Sequence, residues 1–266
     1  MSARRLAGLF VAFVFLLPVG WIVSLSLRRP ADALSPGLLF APTLDNYRAV
    51  LLEDEVFLRG LANSALVAVS ATVIGLLAGI PAAYALARLR FRGKAGLWRF
   101  ILSTRMAPPA AMVIPLYVLY FRLDLIDTRL GLVLLHGALD VSLVAWMLRG
   151  FFADVPEELE DAARVDGATR LSAFLRVTLP LAAPGVAVTT VLALLASWNE
   201  FLFATMLAGG EARTAPASIA QFVTFRAVAW GKLSAASVLT ALPIVVAVLV
   251  VQRRLVRGLT SGAVKG

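Results

Sequence analysis

Apolar residues run through this chain in long blocks, separated by shorter stretches where charges and prolines collect. Six blocks approach the roughly 20 residues that a helix rising about 1.5 Å per residue needs to cross about 30 Å of hydrocarbon. They cover residues 6–27, 61–87, 97–121, 130–149, 184–207 and 235–251. The pattern predicts an all-α membrane protein of six transmembrane helices, with residues 1–266 forming one domain. The first block follows Arg4 and Arg5, as a signal peptide would. It runs about 22 residues against about 7–15 for an h-region, and it ends in Ser26-Leu27-Arg28-Arg29 without a small-x-small cleavage site, so it reads as a retained span.

Composition strengthens this picture. A chain that is 60% hydrophobic and 15% charged has more apolar surface than one soluble domain can cover. The net charge of +9 raises the question of nucleic acid, but the charges are placed by topology. With six spans and the N-terminus inside, fifteen of the 25 Lys and Arg fall on the cytoplasmic side, nine fall outside, and Arg105 lies within a span. A multi-pass protein of the cell membrane with both termini in the cytoplasm follows, and no nucleic-acid partner is expected. The absence of cysteine excludes thiol metal sites and disulfides. The single histidine, His136, has no carboxylate set beside it in sequence, so it reads as a packed or hydrogen-bonded helix residue and no metal site is expected. No GxxxxGK[ST] loop is encoded; if ATP powers this protein, another chain binds it.

Between the first two blocks, Pro30, Pro36, Pro42 and the run Glu53-Asp54-Glu55 suit a folded external loop closed by a short helix. Asn63 and Ser64 then read as an N-cap pair, with Asn63 either capping or lining a path. The basic turn Arg88-Leu89-Arg90-Phe91-Arg92-Gly93-Lys94 places the next connection in the cytoplasm. Pro108, Pro109 and Pro115 interrupt the third block, which implies either a simple kink or a broken helix facing the interior of a bundle.

The connection between blocks four and five, residues 154–180, is the most informative. Asp154 and Glu157 form a capping-box-like start, and Leu159, Ala162 and Ala163 make an apolar stripe while Glu158, Glu160, Asp161 and Arg164 remain polar. Asp166-Gly167 breaks the helix, Leu171, Phe174 and Leu175 repeat the stripe, and Leu179-Pro180 ends the unit. Two short amphipathic helices of this kind suit either the groove of a soluble partner or a lipid surface. The acidic first half favours the groove, because anionic leaflets attract basic helices.

Asp161-Ala162-Ala163, three residues, Gly167, nine residues, then Val177-Thr178-Leu179-Pro180 resembles the EAA signature of ABC importer permeases, EAA-x3-G-x9-I-x-LP, with Asp for Glu and Val for Ile. The resemblance extends to the MalG-type carbohydrate branch through Leu61-Ala62-Asn63-Ser64, Ala82-Ala83-Tyr84-Ala85-Leu86-Ala87-Arg88, Met106-Ala107-Pro108-Pro109, Trp198-Asn199-Glu200-Phe201 and the tail at 258–266. It implies the type I importer fold, with a cytoplasmic coupling segment in which Glu158, Asp161, Ala162, Ala163, Asp166, Gly167, Phe174, Leu179 and Pro180 meet an ATPase. It implies that Gly262, Val264 and Lys265 of the tail reach the same ATPase. The partners implied are a MalF-type permease, two ATPase subunits that bind ATP and Mg, and an extracytoplasmic sugar-binding protein met by the loop at 208–234. The chain itself is then no enzyme and carries no cofactor.

Ionisable groups inside spans are costly, and this makes Arg105, Asp140 and Glu200 candidates for the translocation path, together with Asn63, Trp198 and Asn199. The Trp198-Asn199-Glu200 cluster suits a sugar, with an aromatic face for C–H groups and polar groups for hydroxyls; anchoring helix to helix is the competing role. The resemblance implies an oligosaccharide or a disaccharide such as maltose or trehalose as cargo, with a non-sugar importer for glycerol phosphate or polyamine as the alternative. A secondary transporter would show inverted repeats, and no second copy of the 154–180 pattern occurs.

Overall fold

A computed structural model describes residues 3–33, 37, 39–225 and 227–262, the first two and the last twelve of them by backbone only. Among these residues the secondary structure is helical, apart from one isolated antiparallel bridge between Val223 and Val228. Arg5–Ser26, Glu55–Arg88, Arg129–Asp154 and Trp230–Val250 are each long and apolar enough to cross a membrane. Two bent pairs raise the number of spans from four to as many as six. Lys94–Met106 meets Pro109–Arg122 at 100°, and Arg170–Leu181 meets Ala183–Trp198 at 76°.

The breaks decide between the two readings of the third block, kink or broken helix, in favour of the break, and correct the fifth, expected as one continuous span. In the third block, Ala107 and Pro108 take extended backbone conformations and Pro109 heads the next helix. A residue before proline is driven from the helical region, and consecutive prolines remove two donors, which accounts for a break here while Pro115 is carried inside the helix. In the fifth block the helix ends at Trp198 and a short one resumes at Leu202–Leu207. The second long helix begins at Glu55, where Asp54 Oδ1 accepts from Phe57 N at 2.9 Å. Asn63 and Ser64 therefore lie two turns inside it and are buried, so they are not its cap.

The chain forms two compact units, and the helices starting at Glu55 and Trp230 contribute residues to both. The first unit comprises Met1–Asn63 and Arg213–Ile244. Its N-terminal helix exposes Phe10, Phe13, Phe15 and Leu16, as a lipid-facing helix does. The end of that helix is tied to the following loop: Asn46 donates its side-chain amide to Ser26 O at 2.9 Å and to Arg28 O at 2.7 Å, and Arg28 stacks on Trp21 and Phe40. Val50, Phe57, Phe222, Ala235 and Ala236 form its core. The short helices at Asp45–Arg48 and Ala49–Glu53 are the expected closure of the external loop.

The second unit comprises Ser64–Ala212 and Val245–Gly266, with the helix Arg129–Asp154 at its centre. That helix approaches the 55–88 helix closely: a Cβ on Gly75 would stand 2.7 Å from Asp140 Cβ, and one on Gly79 would stand 2.6 Å from Val144 Cβ. Small residues at such crossings let backbones meet within a membrane. One core lies toward the residue 154–182 end, built from Tyr84, Val144, Leu148, Phe152 and Phe174. Another lies toward the 120–132 end, around Tyr120, Leu132, Leu135, Phe203 and Leu207. There Asp127 accepts from the amides of Gly210, Glu211 and Ala212 and its own amide donates to Leu207 O, fastening two loops.

Candidate functional site

The 154–180 segment is two short helices at the end of the second unit. Glu157–Val165 is followed by a turn in which Asp166 closes the helix and Gly167 sits at φ +90°. The amide of Gly167 donates to Arg164 O, and that of Ala168 to Ala163 O. This is the left-handed closure that glycine adopts without a side-chain penalty. Thr169 then caps the next helix by accepting from Ser172 N at 3.2 Å. The expected capping box does not form, because Asp154 ends the preceding helix and Pro156 holds the N-cap position without a side-chain bond.

The placing of Glu160 on the polar face is also corrected. Leu159 and Ala162 are exposed and Ala163 is half-buried, while Glu160, grouped by sequence with the polar face, is buried with 8% of its surface exposed. A buried carboxylate is tolerated only when paired and hydrogen-bonded. Glu160 Oε2 accepts from the Tyr84 hydroxyl at 2.9 Å, Oε1 accepts from Thr178, and Arg88 Nε lies 3.5 Å from Oε1. Arg88 also meets Glu157 Oε1 at 3.3 Å and donates to Val155 O. Phe174 packs on Tyr84 with ring centroids 4.3 Å apart and on Phe152 at 5.8 Å. Sequence reasoning missed Glu160, Tyr84 and Arg88, although the spacing of Tyr84 and Arg88, one helical turn apart, and of Glu157 and Glu160, three apart, was there to be matched.

Outward, the segment presents Glu158, Leu159, Asp161, Ala162, Val165, Asp166 and Leu171. Asp161 pairs with Arg164 at 3.1 Å on this exposed face. Of the other residues expected in this segment, Ala163 and Leu179 are half-buried, Phe174 is buried, and Gly167 and Pro180 are exposed. Gly262 ends the last described helix, by backbone only; Val264 and Lys265 lie outside the described residues.

A cavity of about 460 Å³ opens where the third and fifth blocks break. Arg105, Asp140, Asn199 and Glu200 line it, as do His136 and Phe201. Glu200 is held in place: Oε1 accepts from Phe203 N and Oε2 from Ala204 N, each at 2.9 Å, so the carboxylate caps Leu202–Leu207. His136 Nδ1 shares a hydrogen with Ser197 Oγ at 2.9 Å, and its Nε2 stands 3.4 Å from Glu200 Oε2 without hydrogen-bond alignment. Asp140 is 2% exposed, and among the described residues its Oδ2 has no hydrogen-bond partner. Asn199 is exposed and donates to Leu195 O at 2.9 Å. Trp198 is buried and is not among the lining residues; the exposed aromatic face belongs to Phe201, which sequence reasoning did not single out. Asn63 lies in the other unit, where its amide donates to Arg213 O at 2.9 Å.

Comparison with known proteins places these features. The chain is 41% identical to the trehalose transport system permease protein SugB of Mycobacterium tuberculosis, over all of both chains. It is 33% identical to the trehalose/maltose transport system permease protein MalG of Thermococcus litoralis, over 98% of this chain and 95% of that one. A chain in the crystal structure of a bacterial ABC transporter involved in the import of the acidic polysaccharide alginate shares its fold, with a TM-score of 0.76, 25% identity, and 95% and 98% of the two chains covered. The architecture is therefore the type I ABC importer permease fold that the spacing at 161–180 implied. Residues 71–261 match the model of the binding-protein-dependent transport system inner membrane component, and the chain belongs to that family of multi-pass membrane permeases.

Proposed function

We propose that this permease forms half of the translocation pathway of an ATP-driven importer for a disaccharide or short oligosaccharide, trehalose or maltose being the model cargo. The observation that carries the reading is the full-length correspondence to a trehalose permease, supported by a trehalose/maltose permease of similar length. A MalF-type permease completes the pathway, an extracytoplasmic sugar-binding protein delivers the cargo, and two ATPase subunits bind ATP and Mg. Fifteen of the 25 Lys and Arg, counted over the two termini and the connections at 88–99 and 149–176, fall on one side against nine on the other, which supports cytoplasmic termini.

In this mechanism the outward face of Glu157–Val165 seats in a groove of the ATPase, with Glu158, Asp161, Ala162 and Ala163 at the contact. Asp166, Gly167, Phe174, Leu179 and Pro180 hold its angle, and the tail bearing Gly262, Val264 and Lys265 adds a second contact. ATPase closure pulls this unit, and the buried Glu160 cluster passes the pull to the 55–88 helix. Sugar then passes the cavity, where Asn199, Arg105 and Asp140 meet hydroxyls and Phe201 faces C–H groups, while Glu200 and the buried Trp198 fix the wall. Reconstitution of the permease pair with its ATPase and binding protein in liposomes tests the reading. Radiolabelled trehalose should accumulate only with internal ATP; ATP-dependent uptake of glycerol phosphate or polyamine without uptake of trehalose or maltose would overturn it.

A further inference from the structure

Near the basic turn that follows the 55–88 helix lies a second cavity, of about 750 Å³, unrelated to the sugar path. Lys94, Arg99 and Arg149 line it, together with Phe91 and Trp98, and no carboxylate is among the lining residues. Among the described residues none of the three cations stands within ion-pair distance of an acid, whereas nearby Arg88 and Arg164 both do. Their nitrogens meet only neutral groups: Lys94 donates to Leu89 O and Arg99 to Ala95 O, while the Arg149 guanidinium lies 4.4 Å above the Trp98 ring. No side chain caps the helix that starts at Lys94, and its first-turn residues Ala95 and Gly96 form part of the wall. Three uncompensated charges and an uncapped helix start together favour an anion.

Leu86, exposed Phe91 and Trp98 form part of the same wall, offering apolar surface beside the charge. That combination separates a lipid from a free ion, since a soluble phosphate gains nothing from the apolar wall. We infer that the cavity binds the phosphodiester of an anionic phospholipid of the cytoplasmic leaflet, with Lys94, Arg99 and Arg149 around the headgroup and an acyl chain against Phe91 and Trp98. The inference rests on the topology proposed above, which puts the 88–99 connection at the cytoplasmic surface, where anionic lipids attract basic clusters.

Native mass spectrometry of the delipidated importer complex, titrated with dioctanoyl phosphatidylglycerol, dioctanoyl phosphatidylcholine or inorganic phosphate, tests it. The wild-type complex should retain phosphatidylglycerol in preference to phosphatidylcholine. Lys94→Gln combined with Arg149→Gln should weaken that binding about thirtyfold, the effect of removing two charges near an anionic headgroup. Arg90→Gln combined with Arg92→Gln removes as much charge from the same turn outside the cavity and should leave binding unchanged; this second pair keeps the test meaningful if the first assembles poorly. Equal retention of the two lipids, equal loss in both double variants, or displacement of phosphatidylglycerol by inorganic phosphate would each overturn the proposal. Sugar uptake does not enter the measurement, so a failed substrate assignment leaves the result readable.

Discussion

The Tyr84 hydroxyl donates to Glu160 Oε2 at 2.9 Å, tying the C-terminal end of the 55–88 helix to a short helix 76 residues further along the chain. Thr178 and Arg88 complete the shell around the same carboxylate. Glu160 thus joins both halves of the 154–180 segment to a long helix that is not its neighbour in sequence.

Removing parts of this shell should destabilise in a graded way. Tyr84→Phe deletes one donor and should cost about 1 kcal/mol, whereas Glu160→Ala leaves the nearly buried Arg88 with only exposed Glu157 as an acid partner and should cost about 3 kcal/mol. Thermal unfolding of the purified complex should show that order, with Glu160→Gln between the two. Sugar-stimulated ATP hydrolysis should fall in the same order. Identical melting for Glu160→Ala and wild type would remove Glu160 from the connection.

The Gly167 corner gives a second prediction. At φ +90°, a β-branched side chain is strained by about 1–3 kcal/mol, although nothing stands near its would-be Cβ. Gly167→Val should therefore leave the permease in the membrane at normal amounts yet weaken ATPase retention and uptake, with Gly167→Ala milder. Co-purification from detergent extracts checks this.

Asp161→Lys tests the outward face directly. The residue is exposed and, among the described residues, its side chain pairs only with Arg164, so its replacement should leave folding intact. A like charge against a basic ATPase groove should reduce subunit retention, while attraction to anionic lipid rises if the helix lies on the membrane. Unchanged ATPase retention with full uptake would reassign the segment.

At the cavity, Phe201→Ala and Asn199→Ala should raise the apparent KM for sugar several-fold while assembly stays normal, since both side chains are exposed. Glu200→Ala should act differently. It releases the amides of Phe203 and Ala204 and leaves His136 without its carboxylate, so complex yield should fall along with uptake. Uptake kinetics and subunit yield, measured together, separate the two effects.

Close helix crossing supplies the last prediction. Gly75→Val would place a Cβ 2.7 Å from Asp140 Cβ, and helix backbones cannot yield as flexible side-chain ends do. A loss of roughly 1–3 kcal/mol is expected, seen as a lower melting temperature, while Gly96→Ala, with open space around it, should melt as wild type.

The sequence alone determined what local chemistry governs. Runs of apolar residues set the spans, because lipid demands about 20 of them; Asp166-Gly167 set the corner, because few residues other than glycine adopt a left-handed turn; and the spacing from Asp161 to Pro180 identified the family. Even the breaks were partly legible at Pro108 and Pro109, though a proline does not state whether a helix kinks or stops. Tertiary structure decided the rest. Glu160 looked like one acid on a polar face, and only the arrival of Tyr84, Arg88 and Thr178 from distant positions made its burial affordable. Trp198 and Glu200 could serve either as ligand contacts or as helix anchors; Trp198 turned into the core, and Glu200, while lining the cavity, is held by the amides of the next helix, with Phe201 and Asn199 the exposed members at its wall. A helical pattern fixes which residues share a face; which face meets protein, lipid or cavity depends on partners that the local sequence does not contain.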